Sequence, residues 1–304
     1  MDYGVSKRVM VLAFTLLAFV WLLKLNKNYL GLAPSGDTPV APTGVSASPN
    51  KNVYGHITNK VAVITDTQYT PRLIPLILHY HSVLGPDWPI VFYTSQETLT
   101  QHLDPNSKQA SAIWSRAVQD GRIQVRTIPE EFNLTSRDGV NIYLSRPWLW
   151  ESLAPAQHVL IFQTDAIVCA NAHRSLDDFL EWDWIGAPLH ATDAWYNGGL
   201  SLRNRTMILD ILREGNNWEN ETQSGAWTFG GEDAWFSRKM DARGAHLPPA
   251  QESLQFACEF DWHVDQQKEP FGYHKIHKNA PSKLDEIIQW CPEITLAAPG
   301  KLAD

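Results

Sequence analysis

The sequence predicts an α/β domain, a mixed and mostly parallel sheet flanked by helices, preceded by an N-terminal transmembrane helix. Three observations predict it. From residue 60 onward, short apolar runs of strand length alternate with stretches of helical spacing, the pattern of βαβ units around a parallel sheet. Several of those runs end in polar or acidic residues, as strands do where such a sheet meets its ligand. Ahead of them, Val9 to Leu23 is an uncharged, apolar run of fifteen residues, followed by a stretch with almost nothing to bury.

The N-terminal run is flanked by Lys7 and Arg8 before it and Lys24 and Lys27 after it. A bilayer core about 30 Å thick wants roughly 17–25 apolar residues. The run is short, but Lys24 can snorkel and early secretory membranes are thinner. The rival is a cleaved signal peptide. Its best small-x-small site, Gly31-Leu32-Ala33, lies far beyond the apolar run and directly before Pro34, so an uncleaved anchor is expected. The basic residues ahead of the run should stay cytoplasmic. The layout expected is a cytoplasmic tail at 1–8, a signal anchor at 9–25, a flexible Pro/Ser/Thr-rich stem at 26–56 and a lumenal domain at 57–304. That is a single-pass type II membrane protein facing the Golgi or ER lumen. Sequons at Asn133, Asn204 and Asn220 are compatible with it.

Within the domain, Lys60 to Asp66 reads as a buried strand. Residues Arg72 to Leu84 have helical spacing, started by Thr70-Pro71 and stopped by Gly85-Pro86. Pro89 to Tyr93 is a second strand. A helix is expected over Lys108 to Gln119 and a third strand over Arg122 to Arg126. A helical stretch over Tyr143 to Leu153 then leads into the strand His158 to Phe162. Ligands bind beyond the carboxyl ends of such strands, which singles out Thr65, Asp66 and the tripeptide Gln163-Thr164-Asp165.

Composition narrows the function. A chain of 304 residues can bury a full core, and three cysteines make no stapled framework. Cys258 and Cys291 could pair in an oxidising lumen. The net charge is −8; with the first thirty residues at +3, the remainder carries −11. That balance argues against a nucleic-acid partner. Neither GxSxG nor H-E-x-x-H occurs, which disfavours a serine hydrolase and a zinc hydrolase.

Four constellations carry chemistry. In Leu160 to Asp165, Gln163 and Asp165 share a strand face. Asp165 either holds a hard cation against a diphosphate or merely begins a turn. In Tyr196 to Arg203, Asn197, Gly198 and Gly199 either let backbone approach a ligand or make an ordinary Asn-Gly turn. Nearby Trp182, Trp184 and Trp195 offer sugar-stacking faces or core bulk, and Trp195 is the one placed at the site. In Phe229 to Phe236, Glu232 and Asp233 open a helix; one can cap it while the other faces a cleft. In Pro270 to Lys278, His274 can complete a metal shell and Lys275 can meet a phosphate.

The strings LGPDWPIVFY, LIFQTDAIVC, WIGAP, YNGGLSLRNR, GGEDAWF and PFGYHK resemble a largely fungal family of glycosyltransferase-like type II membrane proteins. The resemblance spans roughly residues 60 to 278 and implies a GT-A-like, Rossmann-like fold acting on a nucleotide-diphosphate sugar and a glycan or glycoconjugate acceptor. It implies a reaction class and no named reaction. GGED also resembles a segment of inverting galactosyltransferases of the GT-A type. GT-A enzymes usually carry Asp-x-Asp at the strand end, and here Gln163 stands where the first Asp would be. Within that class, the strand ends and the four constellations place Thr65, Asp66, Gln163, Thr164, Asp165 and Lys275 at the donor, and Mn2+ or Mg2+ on Asp165 and His274. They further place Trp195, Asn197, Gly198 and Gly199 at the sugar and acceptor, and Asp233 as the base with Glu232 as its alternate. The missing carboxylate keeps open a non-catalytic nucleotide-sugar or carbohydrate-binding protein on the same fold.

Overall fold

Residues 61–64 follow one another along a strand, so they point alternately to opposite faces, and all four are buried. Such a strand needs cover on both sides. The computed structural model, which describes residues 55–107, 110–192 and 195–298, supplies it. Strands β1 (Lys60–Thr65), β2 (Ile90–Thr94), β3 (Ile123–Thr127) and β4 (His158–Phe162) run parallel. Two antiparallel strands, β6 (Trp184–Pro188) and β7 (Tyr196–Asn204), complete a six-stranded sheet in the order β3-β2-β1-β4-β7-β6. On one face Ala62, Ile64, Phe92, Leu160 and Phe162 pack against helix α1 (Leu73–Leu84). On the other, Val61, Val63, Val91, Val159 and Ile161 pack against α3 (Arg137–Leu144), α4 (Pro147–Ser152), α5 (Arg205–Arg213) and α6 (Glu232–Asp241). Helix α2 (Ala112–Gln119) precedes β3. The continuous apolar runs of β1, β2 and β4 reflect this double cover.

A second, three-stranded sheet, β5-β9-β8, is made of β5 (Ala166–Val168), β8 (Ala257–Cys258) and β9 (Gly272–His274). Its strands are too short to announce themselves in sequence.

The expected elements stand with four changes. The helical stretch 143–153 is two helices, because Pro147 opens the second and holds Arg146 extended at ψ 147°. The helix expected from Lys108 begins at Ala112, where the Ser111 hydroxyl accepts from the Trp114 amide at 3.1 Å; Lys108 lies outside the described residues. Asn197-Gly198-Gly199 is no turn but part of the buried strand β7. The cysteine pairing is different as well. Cys169, just beyond β5, is bonded to Cys291, while Cys258 is buried and free beneath the Leu254 carbonyl. Folding carries the segment around Cys291 beside β5, a proximity that spacing does not encode. The expected anchor at 9–25 and nearly all of the stem lie outside the described residues. Among the described residues no helix is long and apolar enough to cross a membrane.

Cys169→Ser or Cys291→Ser should therefore lower stability by roughly 2–5 kcal/mol, read as a fall in the urea midpoint. Thiol titration of the unfolded, unreduced protein should find one reactive thiol, absent in Cys258→Ala.

Candidate functional site

The site forms where the chain leaves the large sheet for the small one. Strand β4 ends at Phe162, the Gln163 amide still donates to the Gly199 carbonyl of β7 at 2.9 Å, and β5 begins at Ala166. Ala166 pairs with His274 of β9, and the Lys275 amide donates to the Asp165 carbonyl at 2.9 Å. Sheet register thus brings Asp165, His274 and Lys275 together. His274 Nε2 lies 3.3 Å from Gln163 Oε1 and 3.4 Å from Asp165 Oδ1, and its Nδ1 lies 3.5 Å from Glu259 Oε2. Burial opposes protonation of this ring, but the facing carboxylates of Asp165 and Glu259 outweigh it and raise its pKa. Burial likewise opposes ionisation of Asp165. His274, helped by the charges of Lys275 and Lys278, outweighs it and holds that carboxyl down at about 2. Lys275 is the one described non-glycine residue with positive φ, at 50°, a left-handed conformation that bulky residues seldom adopt.

Gly198 and Gly199 are glycine because side-chain atoms occupy the space of a Cβ. At Gly199 a Cβ would lie 2.1 Å from His274 Nε2 and 2.8 Å from Gln163 Oε1; at Gly198 it would lie 2.6 Å from an Arg203 nitrogen and 2.9 Å from Asp233. Arg203, 0% exposed on β7, lies 3.9 Å over the Trp184 ring and meets both carboxylate oxygens of Glu232 at 3.2 Å. It also donates to the Gly198 carbonyl and the Ser201 hydroxyl. Burial pushes the Glu232 carboxyl up, and the facing guanidinium opposes that. Asp233, the next residue, is half-buried. Its Oδ2 accepts from the Gly198 amide at 3.1 Å and its Oδ1 from the Ala234 amide at 2.8 Å.

Two cavities meet here. The larger, about 700 Å³, is lined by Gln163, Asn197 to Gly199, Glu232, Asp233, Glu259, His274 and Lys275. The smaller, about 320 Å³, is lined by Thr65, Asp66, Thr164 and Asp165, with Tyr143 and Leu134 as apolar wall; Gln163 belongs to both. Thr65 meets the Tyr143 hydroxyl at 3.1 Å, and burial, with the Asp165 charge adding to it, raises the Asp66 pKa. The structure brings every sequence-predicted residue but one to a cavity wall. Trp195 stands behind the wall and packs on His190 and Phe229, which line the larger cavity; Phe229 is 47% exposed. Trp184 is core, and Trp182 stacks on His246. Glu232 reaches a wall with both oxygens engaged by Arg203.

Sequence reasoning missed Arg203, Glu259, Asn141, Tyr143, His190 and Phe229. Arg203 stood in a string already noticed, and a cation inside an apolar strand was its signal. Glu259 had none. Its amide and that of Phe260 donate to Nδ1 of the buried His263 at 2.9 and 3.2 Å, and Asn279 donates to its Oε1 at 2.8 Å. Among the described residues, no group of three or more His, Cys, Asp or Glu side chains converges as a metal site.

Residues 122–274, just over half of the chain, match the family described as "Protein of unknown function (DUF5672)", and the chain belongs to that family. The match runs from the start of β3 to the end of β9. No curated protein matches in sequence. Among solved structures the chain is similar to the apo-form glycosyltransferase GlyE of Streptococcus pneumoniae TIGR4, at 13% identity over 73% of this chain and 57% of that one, with TM-score 0.46. It is similar to the mannosyltransferase PcManGT from Pyrobaculum calidifontis, in complex with GDP-Man and Mn2+, at 13% identity over 67% and 59%, with TM-score 0.42. A third likeness is to a glycosyltransferase involved in glycosylation of the major capsid of PBCV-1, at 13% identity over 76% and 98%, with TM-score 0.44. The chain thus spans under two thirds of the length of the first two.

Two outcomes are expected. Glu232→Gln leaves a buried guanidinium without its counter-charge and should cost about 3–5 kcal/mol in urea unfolding. His263 is pushed down to about 4 by burial, with its Nδ1 already accepting two amides. Its folded pKa lies below the unfolded one, about 6.5. The stability it contributes is therefore full above that pH and falls away between about pH 6.5 and 4. His263→Asn, which keeps an acceptor, should flatten the slope of stability against pH there by up to about 1.4 kcal/mol per pH unit.

Proposed function

We propose that this DUF5672 member transfers a sugar from a nucleotide-diphosphate donor to a hydroxyl of a glycan or glycoconjugate, with inversion and with help from a divalent cation. The observation that carries the reading is the junction of the two cavities at Gln163. Asp165 and Lys275 stand at that junction, and the Asp233 carboxylate faces the larger space. The smaller cavity, part apolar wall and part Thr65, Asp66 and Thr164, suits a nucleoside. The larger, walled by Asn197, Gly198 and Gly199 with Trp195 behind it, suits the transferred sugar and the acceptor.

The side chains present fit a divalent cation. Gln163 Oε1 and Asp165 Oδ1 lie 3.3 and 3.4 Å from His274 Nε2. Those gaps are long for hydrogen bonds but close to the spacing of two ligands set at right angles about 2.1–2.3 Å from one ion. The absent Cβ of Gly199 leaves the donor atoms their room. Asp165, His274 and Gln163 would hold Mn2+ or Mg2+, with diphosphate oxygens supplying the rest. When bound, the cation neutralises charge on the departing diphosphate.

The remaining work falls to the chain itself. Two backbone amides fix the Asp233 carboxylate, whose free lone pairs take the proton of the acceptor hydroxyl. As that oxygen bonds to the anomeric carbon, the bond from that carbon to the diphosphate breaks and its electron pair leaves with the phosphate, giving inversion. Lys275 stands beside the leaving group as a second positive charge. Glu232, held by Arg203, keeps Asp233 in place and is not free to act as the base. The Cys169–Cys291 bond supports the expected lumenal domain of a type II membrane protein, because an oxidising compartment maintains disulfides.

The purified full-length chain should turn over one of the common nucleotide-sugars with Mn2+ present. Asp233→Asn should lower kcat about 10²–10⁴-fold while donor binding persists. Asp165→Ala should abolish cation-dependent donor binding. Donor binding with no turnover on any acceptor, unaltered by Asp233→Asn, would instead establish a nucleotide-sugar-binding protein.

A further inference from the structure

We infer that Glu259 is a positioning residue for His274: it keeps a proton on Nδ1, so that Nε2 is the nitrogen that gives up its proton and turns a lone pair to a cation seated between the ring, Gln163 and Asp165. The inference rests on the cation reading given above. It starts from two buried atoms that have no hydrogen-bond partner. Glu259 is 3% exposed and His274 1%, and Glu259 Oε2 and His274 Nδ1 each lack a partner among the described residues. They are 3.5 Å apart and face each other. An isolated buried carboxylate oxygen is costly, and so is an isolated buried ring nitrogen. Together they form one donor and acceptor pair a few tenths of an ångström from closing.

The surroundings hold Glu259 for this task. Asn279 donates to its other oxygen at 2.8 Å. Its backbone amide is tied to His263 Nδ1 at 2.9 Å, which anchors the turn after β8 to a neutral, buried ring. The side chain therefore has one direction left, toward His274. A carboxylate accepts and cannot donate, so it selects the tautomer with hydrogen on Nδ1. That tautomer leaves Nε2 able to coordinate. An amide in place of the carboxylate can donate to Nδ1, which shifts the proton to Nε2 and turns the ligand atom away from a cation. A carboxylate behind a metal-bound histidine is a recurrent arrangement, and its loss weakens metal affinity about 10–100-fold.

The test uses the full-length chain and Mn2+ with no other ligand, reading free Mn2+ by its paramagnetic resonance signal, beside a thermal melt. Glu259→Gln should raise the Kd for Mn2+ about 10–100-fold. Asn279→Ala, which frees the far oxygen, should raise it less. A merely structural Glu259 would lower the melting temperature and leave the Kd alone. A Kd within about twofold of the parent in Glu259→Gln, while His274→Ala weakens binding, overturns the inference and leaves the cation reading standing. Should Glu259→Gln fail to fold, an unchanged Kd in Asn279→Ala overturns it equally. Mn2+ binding indifferent to both His274→Ala and Asp165→Ala overturns the cation reading itself.

Discussion

The pair of Arg203 and Glu232 is the contact on which the rest of the site depends. It joins β7, in the middle of the large sheet's antiparallel side, to the first turn of α6. Both partners are buried, so each surrendered hydration to reach the other, and hydrophobic replacements of the same volume often match such pairs in stability. What the pair supplies here is placement. The guanidinium lies on the Trp184 ring, grips both oxygens of Glu232 and holds the Gly198 carbonyl. The start of α6 is thereby fixed against the floor of the cavity, and Asp233 is left no choice of direction. Gly198 completes the arrangement, since a methyl group there would collide with Arg203, Glu232 and Asp233 together.

A second constraint is the step between sheets at residues 163–165. Strand β4 cannot continue in the large sheet and also pair with β9, so three residues change plane. Their side chains are presented at the seam, with Gln163 on both cavities and Asp165 on the smaller. Because β5 and β9 are antiparallel and in register from Ala166 and His274, the carboxylate and the imidazole are set by backbone hydrogen bonds before any ligand arrives. Such preorganisation is what electrostatic stabilisation of a leaving group requires.

The same contrast decides how much the sequence discloses. β1, β2 and β4 were legible because each is covered on both faces, which writes an unbroken apolar run into the chain. Pro147 and Ser111 lie inside stretches whose spacing reads as continuous helix; the first opens a second helix and the second caps a later start. The small sheet was invisible. Its strands are two or three residues long, and they matter through pairing with distant partners. For that reason Asp165, a strand-end carboxylate, was found, and Glu259, which follows a two-residue strand, was not. Asn197-Gly198-Gly199 was ambiguous in sequence, since glycine serves a turn and a close approach alike; only the atoms of His274 and Arg203 distinguish them. The cysteine pairing stayed open in sequence, with Cys258 and Cys291 as one possibility, because it depends on where the segment around Cys291 docks and not on spacing.

Charge supplies the last step. A chain carrying −11 beyond its first thirty residues places Asp66, Asp165, Glu232, Asp233 and Glu259 around two adjoining cavities. Arg203 is consumed by Glu232, and His274 stands between two carboxylates. Lys275 and Arg137 are then the remaining basic side chains lining the larger cavity, and Lys275 is held there in a backbone conformation that costs free energy. An ammonium and a guanidinium do not balance a diphosphate among five carboxyl groups. At position 163 the chain has an amide where a further carboxylate would have deepened the negative charge, and the Gln163 Oε1 and an Asp165 carboxylate oxygen lie 3.3 and 3.4 Å from the His274 ring nitrogen. In the glycosyl-transfer reading, a divalent cation is what makes an acidic site hospitable to an anionic donor. Glu259 behind the ring then acts on donor affinity through the cation, from outside the reach of the donor itself.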